Sequence, residues 1–138
     1  MQVWEKYYEE CSMPQRFELE ALVNDKNGLK LRLSDYESDN KFVDIIFKDG
    51  PVAYRCLDEV EYLKTMNYLN NTYESEYFED CKIFKVKNSE FMEWIKNESF
   101  ETFDCESKGC EQYVIFTVKE VIEVITCSKP ELLIYQYC

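Results

Sequence analysis

Between residues 17 and 56, apolar and polar positions alternate in short runs. Phe17, Leu19, Ala21 and Val23 are interleaved with Glu18 and Glu20, the period of a half-buried strand. Asn24-Asp25-Lys26-Asn27-Gly28 is a turn sequence, and Leu29, Leu31 and Leu33 alternate with Lys30 and Arg32 on the returning strand of a hairpin. The run Phe42 to Phe47 predicts a third strand, Lys48-Asp49-Gly50-Pro51 a turn, and Val52 to Cys56 a fourth, together an antiparallel meander with one face for a core. Upstream, Val3, Trp4, Tyr7, Tyr8 and Cys11 fall at spacings of three and four, which predicts a short helix within residues 2–12 that Pro14 stops.

Past residue 57 the period changes. Asp58 with Glu61 three residues later is an N-cap pattern, and Tyr62, Met66, Leu69 and Tyr73 recur on one face, so residues 59–72 are expected to form a helix on the sheet. Lys82 to Val86 alternate as a strand, Asn88 or Ser89 caps a second helix with Phe91, Met92 and Ile95 on one face, and that helix ends near Ser99. Residues 112–117 and 121–126 are rich in β-branched side chains and predict two further strands. Leu132-Leu133-Ile134, after Pro130, is expected at a sheet edge. The fold class is therefore α+β: one domain over residues 1–138, an antiparallel sheet of about six to eight strands with two or three helices packed on it.

Composition narrows the chemistry. The 138 residues carry 28 Asp plus Glu against 16 Lys plus Arg, a formal net charge of −12, and no histidine. Ser-His-Asp and Cys-His catalytic pairs, imidazole metal sites and a proton shuttle of unperturbed neutral pKa are excluded. The three glycines, Gly28, Gly50 and Gly109, stand too far apart for a phosphate-cradling or dinucleotide-binding turn. The charge disfavours direct binding of nucleic acid or an anionic membrane, and favours a basic macromolecule as partner.

Seven cysteines, at 11, 56, 81, 105, 110, 127 and 138, accompany a start without a secretory pattern and no apolar run long enough to span a bilayer. The expectation is a cytoplasmic protein with reduced thiols, in which Cys56 lies in the core, the other cysteines are small buried hydrophobes and Cys138 is exposed. Cys105 and Cys110 have no second pair to complete a zinc site, and acids at 101, 104 and 106 raise the pKa of a thiol at 105 rather than lower it. Asp35, Glu37 and Asp39 open like a calcium loop, but position six is Asn40 and position twelve is Ile46. No catalytic residue, metal or cofactor is expected.

Acid gathers locally in three connectors. Residues 35–39 hold Asp35, Glu37 and Asp39; residues 73–80 interleave Tyr73, Tyr77 and Phe78 with Glu74, Glu76, Glu79 and Asp80; residues 98–106 hold Glu98, Glu101 and Asp104. Aromatic anchors beside carboxylates suit an interface with a partner's Lys and Arg. Lys82, Lys85 and Lys87 are expected on a strand's solvent side.

The C-terminal part resembles a known class. Residues 83–99, Ile-Phe-Lys-Val-Lys-Asn-Ser-Glu-Phe-Met-Glu-Trp-Ile-Lys-Asn-Glu-Ser, with Tyr113-Val-Ile-Phe-Thr, Ile122-Glu-Val-Ile and Lys129-Pro-Glu, are similar to small Firmicutes immunity proteins of polymorphic or contact-dependent toxin systems. The resemblance implies a non-catalytic cytosolic inhibitor that neutralises a cognate toxin, often a basic nuclease. The alternative partner is a nuclease blocked by a phage-encoded, nucleic-acid-mimicking anti-defence protein. A histidine-free enzyme using Cys56 or a carboxylate is the remaining reading.

Overall fold

The computed structural model describes residues 2–7, 14, 16–73 and 82–137. It contains nine strands: β1 (Val3–Lys6), β2 (Phe17–Asp25), β3 (Gly28–Asp35), β4 (Ser38–Phe47), β5 (Ala53–Asp58), β6 (Ile83–Lys87), β7 (Glu111–Phe116), β8 (Glu120–Thr126) and β9 (Glu131–Gln136). Two α-helices, α1 (Leu63–Thr72) and α2 (Glu90–Glu98), complete the described elements, with a 3-10 turn over Glu59–Tyr62 leading into α1. The α+β class holds, but the described strands number nine, above the six to eight expected, and they divide between two sheets instead of forming one.

Sheet 1 has the order β1-β6-β7-β8-β5 and sheet 2 the order β2-β3-β4-β9, all neighbours antiparallel. The expected four-strand meander is thus broken after its third strand. β5 leaves for the far edge of sheet 1, and the last strand of the chain, β9, takes the place beside β4. Alternation fixes which side of a strand is apolar, but not which sheet the strand joins.

The sheets pack face to face over one apolar layer. Leu29, Leu31, Leu33, Val43, Ile45 and Phe47 of sheet 2 meet Ile83, Tyr113, Ile115, Ile122 and Val124 of sheet 1. β3 is apolar at alternate positions, whereas β7 and β8, covered on both faces, are buried almost throughout, and burying a side chain of this size contributes about 1.5–3 kcal/mol. Gly28 opens β3 at φ +109°, and a Cβ there would overlap the carbonyl oxygen of Phe47, so the hairpin turn requires glycine.

The opposite face of sheet 1 is covered by the helices. Trp4, Phe84, Val86, Val114 and Val121 pack with Tyr62 and Leu69 from the first helical segment. Phe91 of α2 meets Cys105, Cys110 and Ile125. Ser89 is the N-cap of α2, its hydroxyl accepting from Met92 N at 3.0 Å, whereas Asn88 sits at φ 57° before it. Asp58 caps the 3-10 turn as expected, accepting from Val60 N at 3.0 Å.

Three local expectations are corrected. Val3–Lys6 is a strand, because Trp4 pairs with Val86 in register and is buried against Phe84 and Phe116; edge pairing overrides a helical spacing only a few residues long. Residues 8–13 of that segment lie outside the described ones. Cys56 is exposed instead of in the core, because β5 is an edge strand of sheet 1 with a neighbour on one side only, β8. Cys110 and Cys127 are not free thiols but a disulfide. Glu111 pairs with Thr126, so the flanking cysteines stand opposite each other at the open end of the β7–β8 hairpin, away from its turn. Cys105 is free and buried as expected, and Cys11, Cys81 and Cys138 lie outside the described residues.

Candidate binding surface

The two outer faces differ. That of sheet 1 lies under the helices, and between its apolar clusters runs a buried polar chain. Glu123, 3% exposed, accepts from Tyr62 Oη at 3.0 Å and Gln112 Nε2 at 3.0 Å, and pairs with Arg55 Nε. Gln112 in turn accepts from the Ser89 hydroxyl that caps α2. Burial, then the Glu123 carboxylate, pushes the Tyr62 hydroxyl far up, so it stays protonated as a donor. The Arg55 guanidinium lies 4.1 Å from the centre of the Phe91 ring. Every group of this chain is engaged with another, which suits locking both helical segments to the sheet.

Among the described residues no helix packs on the outer face of sheet 2. Arg32 of β3 and Asp44 of β4 face each other in register and form a two-pronged pair, Nε to Oδ1 at 2.8 Å and Nη2 to Oδ2 at 2.9 Å. Asp44 is only 2% exposed. The Arg32 bonds, outweighing burial, hold its carboxyl below the usual carboxylate range. Arg32 also lies 5.9 Å from the ring centres of both Phe42 and Tyr135, so this cation is fixed between two rings.

Beyond that pair the face ends in aromatics and acids. Phe42 is opposite Tyr135, and Tyr137 donates its N–H to Asn40 O at 2.8 Å, with its ring 5.6 Å from that of Phe42. The neighbouring β3–β4 turn carries Tyr36, whose ring lies 4.6 Å below the Arg16 guanidinium. Tyr36 and Tyr137 are 50% and 54% exposed. Asp35 Oδ1 accepts from Glu37 N at 2.9 Å, shaping the turn, and Glu37 and Asp39 are exposed. This end of sheet 2 combines large rigid contact area with negative charge.

The other expected contact residues are placed differently. Tyr73 is half-buried, and its hydroxyl accepts from Trp4 N at 2.9 Å while it packs beside the cluster under α1; it ties β1 to the helix end. Glu74, Glu76, Tyr77, Glu79 and Asp80 lie outside the described residues. Glu98 and Glu101 are exposed at the end of α2, on the sheet 1 side, and Asp104 is half-buried, accepting from Glu106 N at 3.2 Å with Lys96 Nζ at 3.8 Å. The 35–39 and 98–104 groups thus belong to different sheets and do not form one patch.

The sequence reading missed Phe42, Tyr135 and Tyr137 as surface residues, and Asp44 and Glu123 as organising acids. The two acids were signalled by standing inside apolar strands; the three aromatics carried no such signal, since only the β4–β9 pairing makes them neighbours. Lys85 and Lys87, expected to decorate solvent, pair with Glu111 at 2.8 Å and Glu5 at 3.0 Å. Neither described free thiol is activated, since burial raises the pKa of both Cys56 and Cys105, with Glu120 and Asp104 respectively adding to it. Among the described residues no three Cys, Asp or Glu side chains group as metal ligands, and no helix is long and apolar enough to cross a membrane. Comparison with protein-family models, curated proteins and solved structures finds no match.

Proposed function

We propose that this chain is a non-catalytic inhibitor of the immunity type, which binds and neutralises a basic, nuclease-like protein toxin through the acidic, aromatic end of sheet 2. The observation that carries this reading is the cluster of Phe42, Tyr135 and Tyr137 next to the β3–β4 turn, which carries Tyr36 with Asp35, Glu37 and Asp39, on a sheet over whose outer face no helix packs among the described residues. Exposed tyrosines held by neighbouring rings and cations are pre-organised anchors, so little entropy is lost when they dock. The net charge of −12 steers a basic partner toward encounter.

The proposed setting is the bacterial cytosol, where the pool of reduced thiols would open the Cys110–Cys127 bond. The inhibitor is then required to stay folded with that bond reduced.

The reading predicts that a neighbouring gene encodes a toxin, and the test is co-expression with the product of that gene. Wild type is expected to protect cells and to form a stoichiometric complex whose association slows as salt rises, and Glu37→Lys with Asp39→Lys is expected to slow association without lowering Tm. Absence of both protection and complex overturns the proposal.

A further inference from the structure

The four sheet edges are not equally protected. β1 has only four residues and carries Glu5 and Lys6; β2 carries Glu18 and Glu20 and a register shift between Leu19 and Ala21; β5 carries Arg55 and Asp58. Short length, charge and bulges are the usual means by which an edge avoids pairing with another chain. β9 has none of them over Leu132–Gln136, five consecutive uncharged residues, and its single charge, Glu131, is paired with Lys48 Nζ at 2.8 Å. In a chain of net charge −12, two copies brought together at this edge would not oppose unpaired carboxylates.

The backbone fixes the phase of that edge. Tyr137 N–H bonds to Asn40 O, and the β4–β9 register runs without a shift from Lys41↔Gln136 to Ile46↔Glu131. Hydrogen-bonded and non-bonded pairs alternate along an antiparallel ladder. Tyr137, Tyr135, Leu133 and Glu131 therefore spend their main-chain groups on β4, while Leu132, Ile134 and Gln136 turn theirs to the outside. Among the described residues no strand lies on that side.

We infer that β9 pairs antiparallel with β9 of a second copy about a two-fold axis at Ile134, joining two four-stranded sheets into one continuous sheet. Leu132 then faces Gln136 of the second copy and Ile134 faces its own counterpart, and each facing pair exchanges two N–H···O=C bonds. Leu133 meets Tyr135 of the second copy on the outer face, and Glu131 meets Tyr137, so no like charges oppose. Moving the pairing by one step toward the N-terminus of β9 would set Gln136 against Pro130, which has no N–H to give. The inferred register is the one in which the three outward positions, Leu132, Ile134 and Gln136, pair only with one another.

Sedimentation of the full chain across concentration, up to its solubility limit, tests this. Wild type is expected to show a monomer–dimer equilibrium. Ile134→Pro removes the central bonds but also trims the core, so Gln136→Pro is the decisive variant: its side chain is exposed and its N–H is not bonded to β4. Folded Gln136→Pro, with an unchanged circular dichroism spectrum, is expected to raise the dimer dissociation constant roughly tenfold or more, through loss of two symmetry-related bonds. A wild type that is monomeric throughout, or a folded Gln136→Pro dimer of unchanged affinity, overturns the inference.

Discussion

Replacing Asp44 by Asn tests whether the outer face of sheet 2 is rigidly organised. The carboxylate is 2% exposed and receives both prongs of Arg32 at 2.8 and 2.9 Å. Asparagine keeps the volume but loses the charge and turns one donor toward another. A hydrogen bond to a charged group contributes about 1.5–3 kcal/mol. Arg32 is 37% exposed on its side, and screening there lowers the expected loss to about 1.5–2 kcal/mol at neutral pH. The carboxyl of Asp44 is held below its ordinary value, so its stabilisation is complete above the unfolded-state pKa of about 3.9 and fades as pH falls through the lower folded-state value. Urea unfolding from neutral pH downward should therefore show the gap between wild type and Asp44→Asn closing below about pH 4. Equal stability at neutral pH, or a gap that stays constant to the lowest pH at which both fold, would refute this reasoning.

Glu123→Ala removes the acceptor shared by Tyr62, Gln112 and Arg55; Arg55 is 44% exposed and is left hydrated, so the expected cost is that of the unpaired Tyr62 and Gln112 donors, about 2–3 kcal/mol, read as a lowered chemical-denaturation midpoint; a loss no larger than that of an exposed carboxylate on α2 would contradict the buried chain. Reducing the Cys110–Cys127 bond, which spans 17 residues, should lower unfolding free energy by about 3 kcal/mol while leaving the circular dichroism spectrum native. Identical denaturation midpoints with and without reductant would show that the bond contributes nothing.

Much of the fold was legible because the strands of the central layer alternate cleanly. Leu29, Leu31 and Leu33 face the core as their period requires, and Ser89 caps α2 within the residue pair expected for it. Sheet membership was not legible: the turn after Phe47 reads the same whether β5 stays beside β4 or crosses to the other sheet. Val3–Lys6 is too short for periodicity to separate strand from helix, and its pairing with β6 depends on a segment some 80 residues away in sequence. Of the surface, the acidic turn at 35–39 could be found by local composition. Phe42, Tyr135 and Tyr137 could not, since what makes them neighbours is the β4–β9 pairing, and each alone reads as an ordinary strand residue. Tyr73 shows the converse: composition marked it for contact, while its hydroxyl serves β1 from within. Asp44 and Glu123, isolated acids in apolar strands, gained meaning only from the arginines that register places opposite them.

The end of sheet 2 is the proposed contact surface. The direct measurement is calorimetric titration of a toxin that the chain is found to neutralise with wild type, with Tyr36→Ala/Tyr137→Ala, and with Glu98→Ala/Glu101→Ala as the comparison on the sheet 1 side. The tyrosine variant should keep its Tm and lose at least about 2 kcal/mol of binding, roughly 30-fold in Kd, while the comparison variant stays close to wild type. Unchanged affinity in the tyrosine variant, with the loss appearing instead in the Glu98/Glu101 variant, would contradict it and move the contact surface to the helix-covered side.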